Sequence, residues 1–231
     1  MRGFFLLVLL LSCTGPAVAA EESRCYGTPA HGALANGWQL PSAGENFSVY
    51  SWAGVLVGRN YVHSQVYRTV VAAYQALAVE MPTKVFVYGE SGWQSGGRFR
   101  PHKSHQNGLS VDFFVPVVNA AGESVALPRS VGNKFGYGIE FVGTGQYDGL
   151  TIDYAAMAAH LLALKAAAAG QGIQVARVIF DNALQKELFK TPLGARLQRE
   201  LVFSTKKPWV RHDEHYHLDF AVPCGVLGAG G

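Results

Sequence analysis

Cysteine is scarce in this chain: Cys13, Cys25 and Cys224 are the only three in 231 residues. That excludes a disulfide-dense miniature scaffold and an all-thiolate metal site. Charge is sparse too, at 15% of residues with a formal net charge of +3, and no run of lysine or arginine occurs. Binding to nucleic acid by phosphate neutralisation calls for a denser basic stripe, so nucleic acid is not an expected partner. No apolar stretch approaches the roughly 20 residues of a bilayer-spanning helix, so no transmembrane helix is expected. Internal repeats, low-complexity blocks and long linkers are absent as well. The remainder is 49% hydrophobic with a mean hydropathy of +0.12, the balance of a folded globular chain.

The N-terminus reads as an export signal covering residues 1–20. Arg2 precedes the apolar run Phe4–Leu11, and small residues at Ala17, Ala19 and Ala20 form an A-x-A cleavage site. Leu10-Leu11-Ser12-Cys13 offers a second reading, a lipobox that would anchor the protein to the outer membrane through Cys13. Cleavage at the A-x-A site leaves residues 21–231, and with Cys13 either removed or lipidated two thiols remain. In an oxidising compartment Cys25 and Cys224 are expected to bond, joining the two ends of the mature chain.

Local patterns predict an α+β protein. Residues 26–60 are rich in Gly, Pro, Asn and Ser and read as an irregular arm with one hairpin at most. Apolar residues at Val62, Val66, Val70, Tyr74 and Leu77 predict a helix over 61–81, stopped by Pro82. Asp153 is a fair N-cap for an Ala/Leu helix over 153–169. Further helices are expected over 183–189 and 194–202. Strands are expected at 84–88, 109–115, 175–180 and 216–222, with another at 139–142 inside a long loop.

Five of the eight histidines fall into two clusters, His102 with His105, and His212, His215 and His217; His31, His63 and His160 lie elsewhere and read as ordinary surface or core residues, while Asp112 follows the first cluster. On a strand, His215 and His217 project from one face. The Asn107-Gly108 turn would fold His105 back toward Asp112. Two imidazoles and a carboxylate are the ligand types of a catalytic zinc, which keeps a position open for water. Spacing alone also admits a chance H-x-H or a metal-buffering segment. Arg98 and Arg100, just before His102, are candidates to hold a substrate carboxylate or else are solvated surface charge. Gln106 or Ser110 is a candidate hydrogen-bond partner for a metal-ligating histidine. Strand parity would turn Glu214 away from His215 and His217.

His105-x6-Asp112 with His215-x-His217 resembles the LAS metallopeptidases, the group of lysostaphin, the D-Ala-D-Ala peptidases and the sonic hedgehog domain. The chain is most similar to the penicillin-insensitive murein endopeptidases. Cys25-Tyr-Gly-Thr-Pro, Gly32-x-Leu34-x-Asn-Gly37-x-Gln-Leu40-Pro41, Arg59-Asn60-Tyr61-x-His63, Gly96-Gly-Arg98 and His212-Asp-x-His215-x-His217 all carry the likeness. The resemblance implies one LAS-type domain, a small mostly antiparallel sheet carrying one zinc ion, flanked by helices and long loops. It implies a periplasmic enzyme that cuts peptidoglycan stem-peptide cross-links between D-alanine and meso-diaminopimelate. His105, Asp112 and His217 would ligate zinc, His212 and His215 would be catalytic, and His102 would line the site. Fewer cysteines and a Gly-rich 129–151 loop depart from the family pattern. A carboxypeptidase, an L,D-peptidase, an exported antibacterial effector and a non-catalytic zinc module are the competing functions.

Overall fold

A computed structural model describes residues 21–206 and 210–228; the expected export signal, with Cys13, lies outside them. The arm is more ordered than its composition suggests. It holds a hairpin, β1 (Arg24–Thr28) and β2 (His31–Ala35), then β3 (Trp38–Gln39), β4 (Phe47–Val49), the short α1 (Trp52–Leu56) and β5 (Tyr61–Val62). β4 joins the main sheet, while β1 pairs with β2 and β3 with β5.

The 17-residue helix α2 (Ser64–Glu80) follows. His63 caps it by accepting from the Gln65 amide through Nδ1, so this histidine has a structural role. Its buried face carries Val66, Val70, Ala73, Tyr74 and Leu77. Then come β6 (Phe86–Tyr88), β7 (Ser110–Phe114), β8 (Val117–Val118), β9 (Ser124–Val125), β10 (Gln146–Tyr147) and β11 (Leu150–Ile152). Helix α3 (Tyr154–Gly170) starts at Asp153, whose carboxylate accepts from the Ala156 amide and pairs with Lys84 at 2.6 Å. The chain finishes with β12 (Gln174–Ile179), α4 (Asn182–Phe189), α5 (Gly194–Glu200) and β13 (His215–Ala221).

The main sheet has the order β12-β13-β7-β6-β4, antiparallel except for the β4–β6 pair. Helices α2 and α3 pack against each other and bury Tyr74, Phe86, Phe113 and Tyr216 with the sheet. Complete burial of one such ring contributes about 2–3 kcal/mol. His160 sits within this core, its ring 4.9 Å from that of Tyr74, and bonds to the Tyr216 hydroxyl. The strand expected at 139–142 does not form; only Val142 makes an isolated bridge, to Gln146. The preceding loop turns through Lys134 and Phe135, both with positive φ, and spends its polar groups on local turns.

Cys25 and Cys224 form a disulfide across 199 residues. The same seam carries two main-chain bonds of 2.9 Å, Gly27 N–H to Gly225 O and Gly225 N–H to Cys25 O. Among the described residues, no helix is long and apolar enough to cross a membrane.

Candidate metal and catalytic site

Strand register builds the site. β13 and β7 are antiparallel with His217 directly opposite Asp112. Directly opposed side chains share a face with Cβ atoms about 5 Å apart, and here His217 Nδ1 donates to Asp112 Oδ1 at 2.9 Å. The segment before β7 supplies His105. Its backbone has φ +67, and Gly108 follows at φ +75. A Cβ on Gly108 would meet Leu34 Cδ2 at 2.6 Å and the His63 nitrogen at 2.7 Å, so only glycine fits the turn. The fold-back predicted from Asn107-Gly108 is present: His105 Nε2 lies 3.3 Å from Asp112 Oδ1. His212 also has positive φ, +54. Left-handed backbone at two non-glycine residues costs about 1–2 kcal/mol each, and both instances face this cluster.

The donor set fits a divalent metal. His105 is fully buried, and its Nδ1–H donates to the Ser91 carbonyl at 3.0 Å. That bond fixes the tautomer and leaves Nε2 as a bare lone pair. Nε2 is buried without a hydrogen-bond partner, which is costly unless something else occupies it. Burial lowers the His105 pKa, so the ring is neutral and ready to ligate. Burial pushes Asp112 up, but the surrounding histidines hold its carboxyl well below the usual range. His102, His105 and Asp112 present ligand atoms within 4.8 Å of one another and could hold a metal ion.

His217 faces the same carboxylate. Its other nitrogen donates to Asp219 Oδ1 at 2.8 Å. Burial opposes its charge, yet Asp219 and Asp112 push its pKa up to about 10. Asp219 is anchored in turn by the Ser110 hydroxyl at 2.7 Å and by Arg177. Ser110 therefore supports the carboxylate behind His217 and does not touch a histidine itself. Gln106 likewise has no side-chain bond to a histidine; it lines a surface cavity with Arg98, Arg100 and His102.

His212 and His215 lie beside the cluster with tilted rings whose centroids are 4.7 Å apart. His212 Nδ1–H donates to the Val210 carbonyl at 3.1 Å. Burial and then His215 lower its pKa to about 4, leaving a neutral ring with a free Nε2 lone pair. His215 behaves oppositely: burial opposes its charge, but Glu214 and Asp112 raise its pKa. Glu214 Oε1 accepts from His215 Nδ1 at 2.8 Å. This corrects the parity expectation for Glu214. β13 begins only at His215, so strand alternation does not govern Glu214, and its carboxylate curls back onto its neighbour.

A second buried carboxylate supports His102. Glu90 Oε2 accepts from His102 Nε2 at 2.6 Å and from Arg59 Nη2 at 2.8 Å. Its Oε1 accepts from the Tyr50 hydroxyl at 2.7 Å and from Arg59 Nε. Burial alone would raise its pKa; Arg59 and His102 lower it to about 2. Tyr137, from the Gly-rich loop, accepts from the Glu90 amide at 2.8 Å and donates to Asp112 Oδ2 at 3.0 Å. A Cβ on Gly89 would meet that hydroxyl at 2.4 Å, so glycine opens the space for it.

Asp219, Glu90, Arg59 and Tyr137 received no role from sequence. Asp219 had a usable signal, since His215-x-His217-x-Asp219 shares one parity on β13. No curated relative matches the chain. The family model of the penicillin-insensitive murein endopeptidases matches residues 25–228, nearly the whole described chain, and the protein belongs to that family.

Proposed function

We propose that this murein endopeptidase is a periplasmic, zinc-dependent enzyme that hydrolyses the D-alanyl to meso-diaminopimelate cross-links of peptidoglycan. The observation that carries the reading is the convergence of His105 Nε2, Asp112 Oδ1 and His217 Nδ1, with His212 and His215 packed alongside. His105, Asp112 and His217 would hold one zinc ion per chain, with His102 in reach of the same carboxylate at 3.7 Å. When bound, zinc supplies Lewis acidity toward the scissile carbonyl and acidifies water to a pKa of about 7. His212, neutral with its Nε2 lone pair free, takes the proton of the attacking water and passes it to the leaving nitrogen. His215, whose charged form the neighbouring Glu214 favours, stabilises the negative charge that develops on the carbonyl oxygen. The disulfide and the A-x-A segment support an exported chain.

Digestion of purified sacculi with mass analysis of the fragments tests the reading. Cross-linked dimers should yield monomers; EDTA should abolish the activity, added zinc should restore it, and penicillin should leave it unchanged. β-Lactams acylate an activated serine, whereas the groups gathered here are imidazoles and carboxylates. Release of terminal D-alanine alone would instead favour a carboxypeptidase, and activity surviving EDTA would remove zinc from the proposal.

A further inference from the structure

Beside the histidine cluster lies a cavity of about 440 Å³ walled by Arg98, Arg100, Pro101, His102, Lys103 and Gln106. Its lining holds three basic side chains and no carboxylate. His102 is the shared wall, since its other contacts are Glu90 and Asp112 in the metal site. The guanidinium groups of Arg98 and Arg100 form no ion pair among the described residues. The backbone beneath them is nevertheless tied down. Trp93 Nε1 donates to the Arg98 carbonyl at 3.2 Å, and Arg59 Nη2 donates to the Arg100 carbonyl at 2.8 Å. Phe99 between them is fully buried, with the Arg59 guanidinium 4.1 Å over its ring. With Phe99 buried between them, Arg98 and Arg100 are exposed on a segment whose backbone is held at both positions. Such a pair suits a planar carboxylate, which accepts bidentate bonds.

The proposed substrate carries a carboxylate next to the bond that is cut. In a cross-link from D-alanine to the amine of meso-diaminopimelate, the nitrogen to be released sits on a carbon that also bears a free carboxylate. That is the fixed negative charge nearest the scissile bond. We infer that the Arg98–Arg100 cavity binds this carboxylate and makes the enzyme selective for cross-links in which it is free rather than amidated. The inference rests on the proposed endopeptidase reading. It deepens that reading by naming what the cleft beside His102 recognises.

Two synthetic cross-linked dimers, identical except for carboxylate or carboxamide on that carbon, test it. With the zinc-loaded protein, kcat/KM should favour the free acid roughly ten- to a hundredfold, the discrimination expected of charge-assisted hydrogen bonds. In R98A/R100A the ratio should fall to near one, and R98K/R100K should recover part of it. A wild-type ratio near one, or an unchanged ratio in R98A/R100A, overturns the inference while leaving the endopeptidase intact. If neither dimer is cut, the endopeptidase reading fails. Calorimetric titration with the two dimers then decides the cavity separately: an affinity gap present in wild type and lost in R98A/R100A supports it, and no gap overturns it.

Discussion

Replacing Glu90 with glutamine should cost about 3 kcal/mol at neutral pH, and the cost should shrink in acid. The carboxylate is buried and accepts from Tyr50, His102 and both arms of the Arg59 fork. Burial works against the charge, but Arg59 and His102 outweigh it and bring the pKa from 4.5 down to about 2. At roughly 1.4 kcal/mol per pH unit, that displacement is worth about 3 kcal/mol of folding free energy. Glutamine keeps the shape but turns an NH2 group toward donors and leaves the Arg59 guanidinium without its counter-charge. Removing one partner of a buried pair costs about 3–5 kcal/mol by the same logic. The folded-state pKa is depressed, so this stability is fully present above the unfolded value near 4.5 and is lost as pH falls toward 2. Urea denaturation of wild type and E90Q, followed by tryptophan fluorescence, should give a gap of about 3 kcal/mol at pH 7 and less than half of that by pH 3. A gap under about 1 kcal/mol at pH 7, or one independent of pH, would refute the reasoning.

Three further outcomes are expected. Opening the Cys25–Cys224 bridge as C25S/C224S should lower stability by up to about 5 kcal/mol, the chain-entropy value for a loop closed over 199 residues; a change below about 1 kcal/mol in urea would contradict that. Zinc uptake at pH 7 should displace about one proton from His217, whose pKa stands near 10, while Asp112 is already ionised and His105 already neutral. Calorimetry in two buffers of different ionisation heat counts that proton, and a count near zero would remove His217 from the ligand set. Tyr137→Phe should leave the Glu90 amide and one Asp112 lone pair unmet, costing about 1–3 kcal/mol and weakening zinc binding about ten- to a hundredfold; unchanged stability and affinity together would show that the hydroxyl is dispensable.

The histidines and Asp112 were legible because their spacing acts through local geometry. Alternation puts His215 and His217 on one face, and an Asn-Gly turn reverses the chain between His105 and Asp112. The two long helices were legible through their periodic apolar faces and, for α3, through Asp153. The arm was not: its two- to five-residue strands are held by long-range pairing, such as Phe47 with Phe86, and short polar segments do not advertise their partners. The polar frame of the site was hidden for the same reason. Arg59, Glu90 and Tyr137 are ordinary residues on three separate loops, and only tertiary packing makes them one network. Glu214 was misjudged because strand parity was extended one residue past the end of β13.

That strand also ties activity to integrity. Its odd-numbered residues from His215 to Asp219 form the reactive wall, while Tyr216, Leu218 and Phe220 fill the interior behind it. A single inserted or deleted residue within β13 would exchange the two sets, sending imidazoles into the greasy interior and aromatic rings into the cleft. Length changes are therefore forbidden within that strand, and the site's geometry rests on its register.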